Sequence, residues 1–362
     1  MPRVIGIDPG TVSLDLCGLD DGQLFLERSI PTAEALADPA TLIALLDEAM
    51  PLDLVVGPSG YGLPLIAARY LTDDDLRLAY LAADGEPGGI GGLRTLMRAL
   101  ARSGLPVVVT PGVVHLGTVP AHRKVNRVDM GTADKVCAVV LAMYEQAERR
   151  RCEARDVSLI LLELGGAFTA ALAVTHGKIV DGIGGTSGPI GALAAGALDG
   201  EVAFLAGHVT KRLLFGGGAA AVAGTPEALA APSTPRGRRA WAAYVESAVK
   251  AVAALTVSVP HPCEVVLSGR MARANGLREE LARRIAGAVP GAEMHLLGGS
   301  DVAGEPAARG AALLADGLAG GAAAELVRSL GIRDAHGTSL DHLYVISPTA
   351  ARERLGVSCC PS

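Results

Sequence analysis

The chain has 362 residues, enough for two domains of ordinary size, and half of them are hydrophobic. Only 3% are aromatic, so the core has to be built from Ala, Val, Leu and Ile. A formal charge of −6, with short basic clusters only at 149–151 and 236–239, argues against nucleic acid as a partner. No apolar run of about 20 residues occurs, which argues against a membrane partner or span. The N-terminus runs straight into a strand pattern, so a soluble, cytoplasmic protein is expected. Six Cys occur without a Cys-x-x-Cys spacing or a companion His at metal spacing, so zinc is not expected. Cys359-Cys360 belong to a frayed tail; buried free thiols are the expectation for Cys17, Cys137, Cys152 and Cys263.

In chain order, Val4 to Ile7 is a short buried strand, and Val12 to Leu19 alternates as a second. Asp20-Asp21-Gly22 signals a hairpin turn, with Gln23 to Ser29 as the third strand. Thr32 to Ala49 has the apolar periodicity of one helix. Leu52 to Val56 is a continuous apolar run, as in a parallel strand buried on both faces. A glycine-rich loop, 57–62, follows where open α/β sheets bind ligands. Thr72 to Ala101 is helical with a break at 84–89, and Val107 to Thr110 is a fifth strand. The connection from Val113 to Val128 carries His115, His122, Arg123, Lys124 and Arg127.

Thr132 to Arg151 is a helix, with Asp129 read as beginning it. The pattern then restarts, with strands at Ser158 to Glu163, Phe168 to Val174 and from Ile179. This is an internal repeat of pattern rather than of residue identity. Gly182 to Ala231 is rich in Gly, Ala and Ser and reads as an insertion facing a cleft. Arg239 to Val259 and Asn275 to Ala288 are helices, and Glu264 to Leu267 and Ala292 to Leu297 strands. Glu305 to Leu318 is a small-residue helix, and the stretch from Gly331 is not assigned an element. The expected domains are 1–128, then 129–330 with its insertion at about 182–231, and a tail at 331–362.

Two turns carry the chemistry. Each is an apolar strand ending in a carboxylate just before a glycine turn: Ile7-Asp8-Pro9-Gly10-Thr11 and Glu163-Leu164-Gly165-Gly166-Ala167-Phe168-Thr169. Amides at Gly10, Thr11, Gly165 and Gly166 can approach phosphate oxygens, and one or two carboxylates suffice to hold Mg²⁺. The plainer reading of each is a strand-end turn whose carboxylate caps local amides. Asp129 can act as a helix cap or as a group in the cleft, and Asp134 reads as a surface charge. Arg127, Arg123 and His122 offer cations for a carboxylate or phosphoryl group, or are solvated loop charge. Ser268-Gly269-Arg270 follows a strand and can lie against a nucleoside, or is an ordinary βα turn. Thr186 and Ser187, in a glycine-rich run, line a substrate pocket or a plain loop.

These stretches, with 129–135 and 304–311, resemble the signatures of the acetate and sugar kinase / heat-shock ATPase / actin superfamily. The likeness is nearest to the predicted butyrate kinase family, DUF1464-like, and covers roughly the first 320 residues. It implies an α/β fold of two duplicated ribonuclease-H-like (actin-like ATPase) domains with a nucleotide cleft between them, ATP and Mg²⁺ as cofactors, and a homodimer. It implies an ATP-dependent kinase for a small-molecule acceptor, a butyrate-like carboxylate first. A kinase of a small hydroxyl or sugar substrate is the alternative, as is a nucleotide-dependent activator or switch ATPase. The implied sites are Asp8, Arg127, Asp129 and Glu163 for catalysis, with Asp8 and Glu163 on the metal. Gly10, Thr11, Gly165, Gly166, Thr169, Ser268, Gly269 and Arg270 are implied for the nucleotide, and His122, Arg123, Thr186 and Ser187 for the substrate. The chain has Asp8 where the carboxylate kinases have Asn, and Met130 and Glu163 where acetate kinases have His.

Overall fold

The computed structural model describes residues 2–86, 92–274, 276–299 and 306–358. Asn275, Gly304-Glu305, Cys359-Cys360 and part of the expected break at 84–89 lie outside the described residues. Contacts divide the chain into two compact units. The first comprises Met1–Val128, Thr132–Asp156 and Val302–Ser362, and the second Asp129–Gly131 and Val157–Asp301. The first unit therefore takes in stretches that the sequence reading groups with the second half or leaves as a tail.

In the first unit, β1 (Arg3–Pro9), β2 (Ser13–Asp20) and β3 (Gln23–Pro31) form an antiparallel meander. Asp21 and Gly22 both have positive φ, the geometry that a tight hairpin asks for. β4 (Leu54–Val56) joins β1 in parallel, and β6 (Val107–Val109) joins β4 in parallel. A two-residue strand, β5 (Ile66–Ala67), completes the order β3-β2-β1-β4-β6-β5. The second unit holds β7 (Leu159–Leu164), β8 (Thr169–Thr175), β9 (Lys178–Ile183), β10 (Glu264–Ser268) and β11 (Glu293–Leu296). Their order is β11-β10-β7-β8-β9, with β7-β8-β9 antiparallel and β10 and β11 parallel to β7. Read from the third strand of each meander inward, β3-β2-β1-β4-β6 and β9-β8-β7-β10-β11 have one topology, to which the first sheet adds β5, and the ribonuclease-H-like duplication is present in the strand order itself.

The expected helix at Thr32 to Ala49 is two helices, Thr32–Ala37 and Pro39–Glu48. Pro39 cannot continue a helix from the preceding turn, but it suits a first turn, where Asp38 caps the Ala40 amide. The long helix Ala133–Arg150 starts after Thr132 and not at Asp129. Helix Pro306–Leu318 packs against it and against β1, β2 and β4. Small residues make that possible. A Cβ on Gly6 of β1 would come within 2.1 Å of the Ala312 amide nitrogen, and one on Gly310 within 1.9 Å of the Cys137 carbonyl oxygen. Backbone thus lies on backbone, which suits a core poor in aromatics.

The first core cluster joins Ile5, Ile7, Leu14 and Leu16 to Leu42, Leu46, Leu96 and Met97. It also takes in Leu340, Ala351, Leu355 and Val357, so the C-terminal stretch belongs to this core. Helix Pro348–Leu355 is held further by Arg354 on Glu86 and Arg352 on Asp341. In the second unit the long helix Pro235–Leu255 buries Tyr244, Val245 and Val252 in a cluster with Ile160, Leu162, Val265 and Leu267. The expected insertion at 182–231 is four short helices: Gly200–Ala206, Lys211–Leu214, Ala219–Ala223 and Pro226–Ala230. Among the described residues no helix is long and apolar enough to cross a membrane.

Candidate active site

The two singled-out turns are the same hairpin built twice. In the first, Pro9 pairs with Leu14 and the loop is 10–13; in the second, Leu164 pairs with Thr169 and the loop is 165–168. Asp8 and Glu163 occupy the same place, two residues before the loop. The leading glycines match too. A Cβ on Gly10 would lie 2.7 Å from the Ser13 carbonyl oxygen, and one on Gly165 2.9 Å from that of Phe168. The Gly165 amide donates to that Phe168 carbonyl at 2.9 Å. Each loop is therefore tight enough to exclude a side chain at its first position. Such a loop can present backbone N–H groups to an anion.

Around the first turn, Asp8 is partly buried at the end of β1, and its register partner on β2 is Asp15. Asp15 is buried and accepts from the Ser13 hydroxyl at 2.7 Å. Two directly opposed carboxylates repel one another, so this end of the hairpin favours a cation. The Thr32 hydroxyl donates to the Gly10 carbonyl at 2.7 Å and fixes the turn from below. Thr11 is exposed at its tip. Close by in the same unit, Asp134 accepts from the Thr132 hydroxyl and pairs with Lys135. Burial works against its charge, but Lys135 and Thr132 outweigh it and hold the carboxyl below its usual range. Burial raises the Cys137 thiol well above its ordinary value, and the charges of Asp134 and Asp8 add to this while Lys135 opposes it. Asp8, Asp134 and Lys135 thus all act on one point of the long helix, and Asp134 is not the plain surface charge expected of it.

Around the second turn, Glu163 is buried at the end of β7, beside Ser268 in the parallel register of β10. Gly269 has φ +87, and a Cβ there would fall 2.5 Å from the Leu164 carbonyl oxygen and 2.7 Å from Glu163 Oε1. Glycine is required both for that backbone and for the approach of the carboxylate. Arg270 is exposed at the start of a short helical turn, Arg270–Arg273. Glu163, Ser268, Gly269 and Arg270 are thereby brought together. Thr169 is placed otherwise than expected: it is fully buried on β8, near the Tyr244 phenol, and not at the surface of the turn. Neither the Thr169 nor the Tyr244 hydroxyl has a hydrogen-bond partner of good geometry. Burial raises the Tyr244 phenol; the nearby Thr169 hydroxyl works the other way, and the charge of Glu163 adds to the rise.

Asp129, Thr186 and Ser187 form a third assembly, within the second unit. Asp129 Oδ1 accepts from the Gly131 amide, and Oδ2 from the Thr186 amide and hydroxyl, all at 3.1 Å. The Ser187 hydroxyl donates to the Asp129 carbonyl at 2.8 Å. The carboxylate is buried and acts as a latch between 129–131 and the glycine-rich run, not as a helix cap. His122, Arg123 and Arg127 belong to the first unit, on and just after the helix Ala121–Lys124, where His122 and Arg127 are exposed. Lys124 differs: it is buried and donates to the Leu116 carbonyl at 2.9 Å.

The family model described as "Protein of unknown function (DUF1464)" matches residues 6–345. The chain belongs to this family. No curated protein matches this DUF1464 chain. Among solved structures, acetate kinase from Entamoeba histolytica is 12% identical, with a TM-score of 0.56 over 78% of this chain and 86% of that one. A propionate kinase from Francisella tularensis subsp. tularensis SCHU S4 is 14% identical, with a TM-score of 0.58 over 79% and 88%. Porphyromonas gingivalis acetate kinase is 15% identical, with a TM-score of 0.55 over 78% and 86%. These likenesses establish the fold: this DUF1464 protein has the duplicated α/β, actin-like ATPase architecture of the acetate and propionate kinases. The family match runs on to 345, beyond the roughly 320 residues that the sequence resemblance covers.

Two residues of the site escape the sequence reading. Asp15 had a signal, a carboxylate inside an otherwise apolar strand and seven residues from Asp8. Tyr244 had none, because a tyrosine on a helical apolar face reads as core.

Proposed function

We propose that this protein transfers the γ-phosphoryl group of ATP to a small carboxylate and forms an acyl phosphate. The observation that supports phosphoryl transfer is the hairpin built twice, with a carboxylate and a side-chain-free glycine in matching places. That donor set suits a hard cation and phosphate oxygens: Asp8 at the first turn and Glu163 at the second are each proposed as a carboxylate for Mg²⁺, which needs one or two carboxylates and keeps its waters. Mg²⁺ supplies neutralisation of the charge on the β- and γ-phosphate oxygens. In this reading the amides of Gly10, Thr11, Gly165 and Gly166 orient the phosphates, and Ser268, Gly269 and Arg270 receive the adenosine. Arg127, with Arg123 and His122, binds the acceptor carboxylate, for which a guanidinium offers paired donors.

The preference for a carboxylate acceptor over a hydroxyl rests on Asp129. A hydroxyl acceptor calls for a base, and both Asp129 oxygens are engaged by Gly131 and Thr186. A carboxylate acceptor is already ionised at neutral pH and needs no base. Asp129 then serves to position Thr186 and Ser187 at the substrate pocket. ATP, Mg²⁺ and hydroxylamine incubated with straight-chain acids from acetate to valerate are expected to give hydroxamate and ADP with at least one acid. ADP release stimulated by an alcohol or sugar, and by no acid, would overturn the carboxylate reading.

A second reading, a nucleotide-dependent switch ATPase, has one observation in its favour. Helix Gly200–Ala206 buries none of its residues and exposes Val202, Phe204 and Leu205, as a surface for a protein partner would. Under that reading ATP hydrolysis is slow and no small acid alters it.

A further inference from the structure

The starts of β10 and β11 lie at the far end of these strands from Ser268 and the second turn. There the parallel register sets Glu264 beside Glu293 and Val266 beside His295. Glu293 and His295 are two apart on one strand, so both project from the sheet face that carries Glu264. The donor atoms of the three side chains lie within 4.8 Å of one another. His295 Nε2 is 3.4 Å from Glu293 Oε2 and 3.9 Å from Glu264 Oε1.

Zinc bonds of about 2.0–2.2 Å to imidazole nitrogen and carboxylate oxygen give a tetrahedron with edges of roughly 3.4 Å. The His295–Glu293 pair already has that spacing, and Glu264 Oε1 lies 0.5 Å beyond it from His295 Nε2, so small side-chain shifts close three corners of such a site. Their burial is graded: Glu264 is 1% exposed, whereas the side chains of His295 and Glu293 are 30% and 64% exposed. β11 is the edge strand of its sheet, so the group is anchored on the inner strand and open to water on the outer side. The geometry points to a divalent-cation site formed by Glu264, Glu293 and His295, suited to Zn²⁺ with water in the fourth position. One imidazole and two carboxylates favour a borderline metal over Mg²⁺ or Ca²⁺, which take oxygen donors. The site is distinct from the magnesium of phosphoryl transfer and clamps the edge strand β11 onto β10. Spacing along the sequence could not reveal it, because Cys and His intervals do not report carboxylates on neighbouring strands.

The test is calorimetric titration of Zn²⁺ into the chelator-treated full chain without nucleotide. One equivalent is expected to bind, and His295→Ala and Glu293→Gln are each expected to weaken it by about tenfold or more. Both are edge-strand changes that spare the buried Glu264, so folding is kept. Binding is expected to persist in Cys263→Ser, which removes the neighbouring exposed thiol. Absence of saturable uptake would overturn the site. So would uptake equal in wild type and His295→Ala, or uptake lost only with Cys263→Ser.

Discussion

The two hairpins share register, loop length and leading glycine, but differ in what surrounds the loop. The first is open: Thr11 is exposed and Val12 is 62% exposed. The second is covered by the insertion. The Ala167 carbonyl accepts the Leu193 and Ala194 amides at 3.1 Å, and the Phe168 ring meets Phe215 edge-on with centroids 5.2 Å apart. The partner across the strand differs as well: Asp8 faces Asp15, whereas Glu163 faces Ala170. Duplication has thus preserved the backbone of a tight carboxylate-glycine turn in both halves, while the insertion has tied the second turn to chain that lacks a counterpart in the first.

If both carboxylates serve one reaction, removing either should be equally damaging. Asp8→Ala and Glu163→Gln are each expected to lower turnover by about a hundredfold or more, with most of the folding stability kept. A large loss in one variant and none in the other would break the equivalence. Circular dichroism melting of Asp8→Ala separates lost chemistry from lost folding.

Acid tests the first half. His115 is buried in the connection that leads to Asp129, and burial pushes its pKa down to about 4; the Gly112 carbonyl opposes this, and nearby Lys124 adds to it. Asp341 and His336 also face it, with opposite effects. Folding therefore disfavours the protonated ring. The stability is fully present above pH 6.5 and falls as the pH drops towards 4, by about 3 kcal/mol. Urea midpoints measured at pH 7 and pH 4.5 should show most of that loss in the wild type and a smaller loss in His115→Gln.

Two further changes probe the second half. Gly269→Ala places a Cβ against Leu164 and Glu163 at positive φ, and should destabilise by about 2 kcal/mol in urea unfolding. It should also displace Glu163 and lower turnover. Phe215→Ala removes the ring against Phe168 and should cost about 1 kcal/mol. Because that contact exists only in the second half, its effect on nucleotide affinity measures how far the insertion fixes the second turn.

Much of this was legible in the sequence because it is local. β-branched runs, the Asp21-Gly22 turn and the strand-carboxylate-glycine pattern are set by residues near one another, and all ten strands assigned from sequence are present. The two-residue β5 was not legible, since it exists only through pairing with β6. The break at Pro39 carried a signal, a proline inside an apolar period, that the period outweighed. The placement of Thr169 required knowing which strand face meets Tyr244. The long-range pairings were silent: Asp129 meets Thr186 across 57 residues, and Leu340 and Leu355 reach a core set by β1 and β2. The cationic segment at His122, Arg123 and Arg127 was legible as charge, but Lys124 within it is buried for reasons of packing.

The proposal to be tested is that each of the two hairpins, with Asp8 in one and Glu163 in the other, is a phosphate-binding turn. The most direct measurement is the melting temperature of the wild type, Asp8→Ala and Glu163→Gln with and without Mg·ATP. A concentration-dependent rise is expected in the wild type and is expected to be lost or sharply reduced in both variants. No rise in the wild type, or an undiminished rise in either variant, would contradict it.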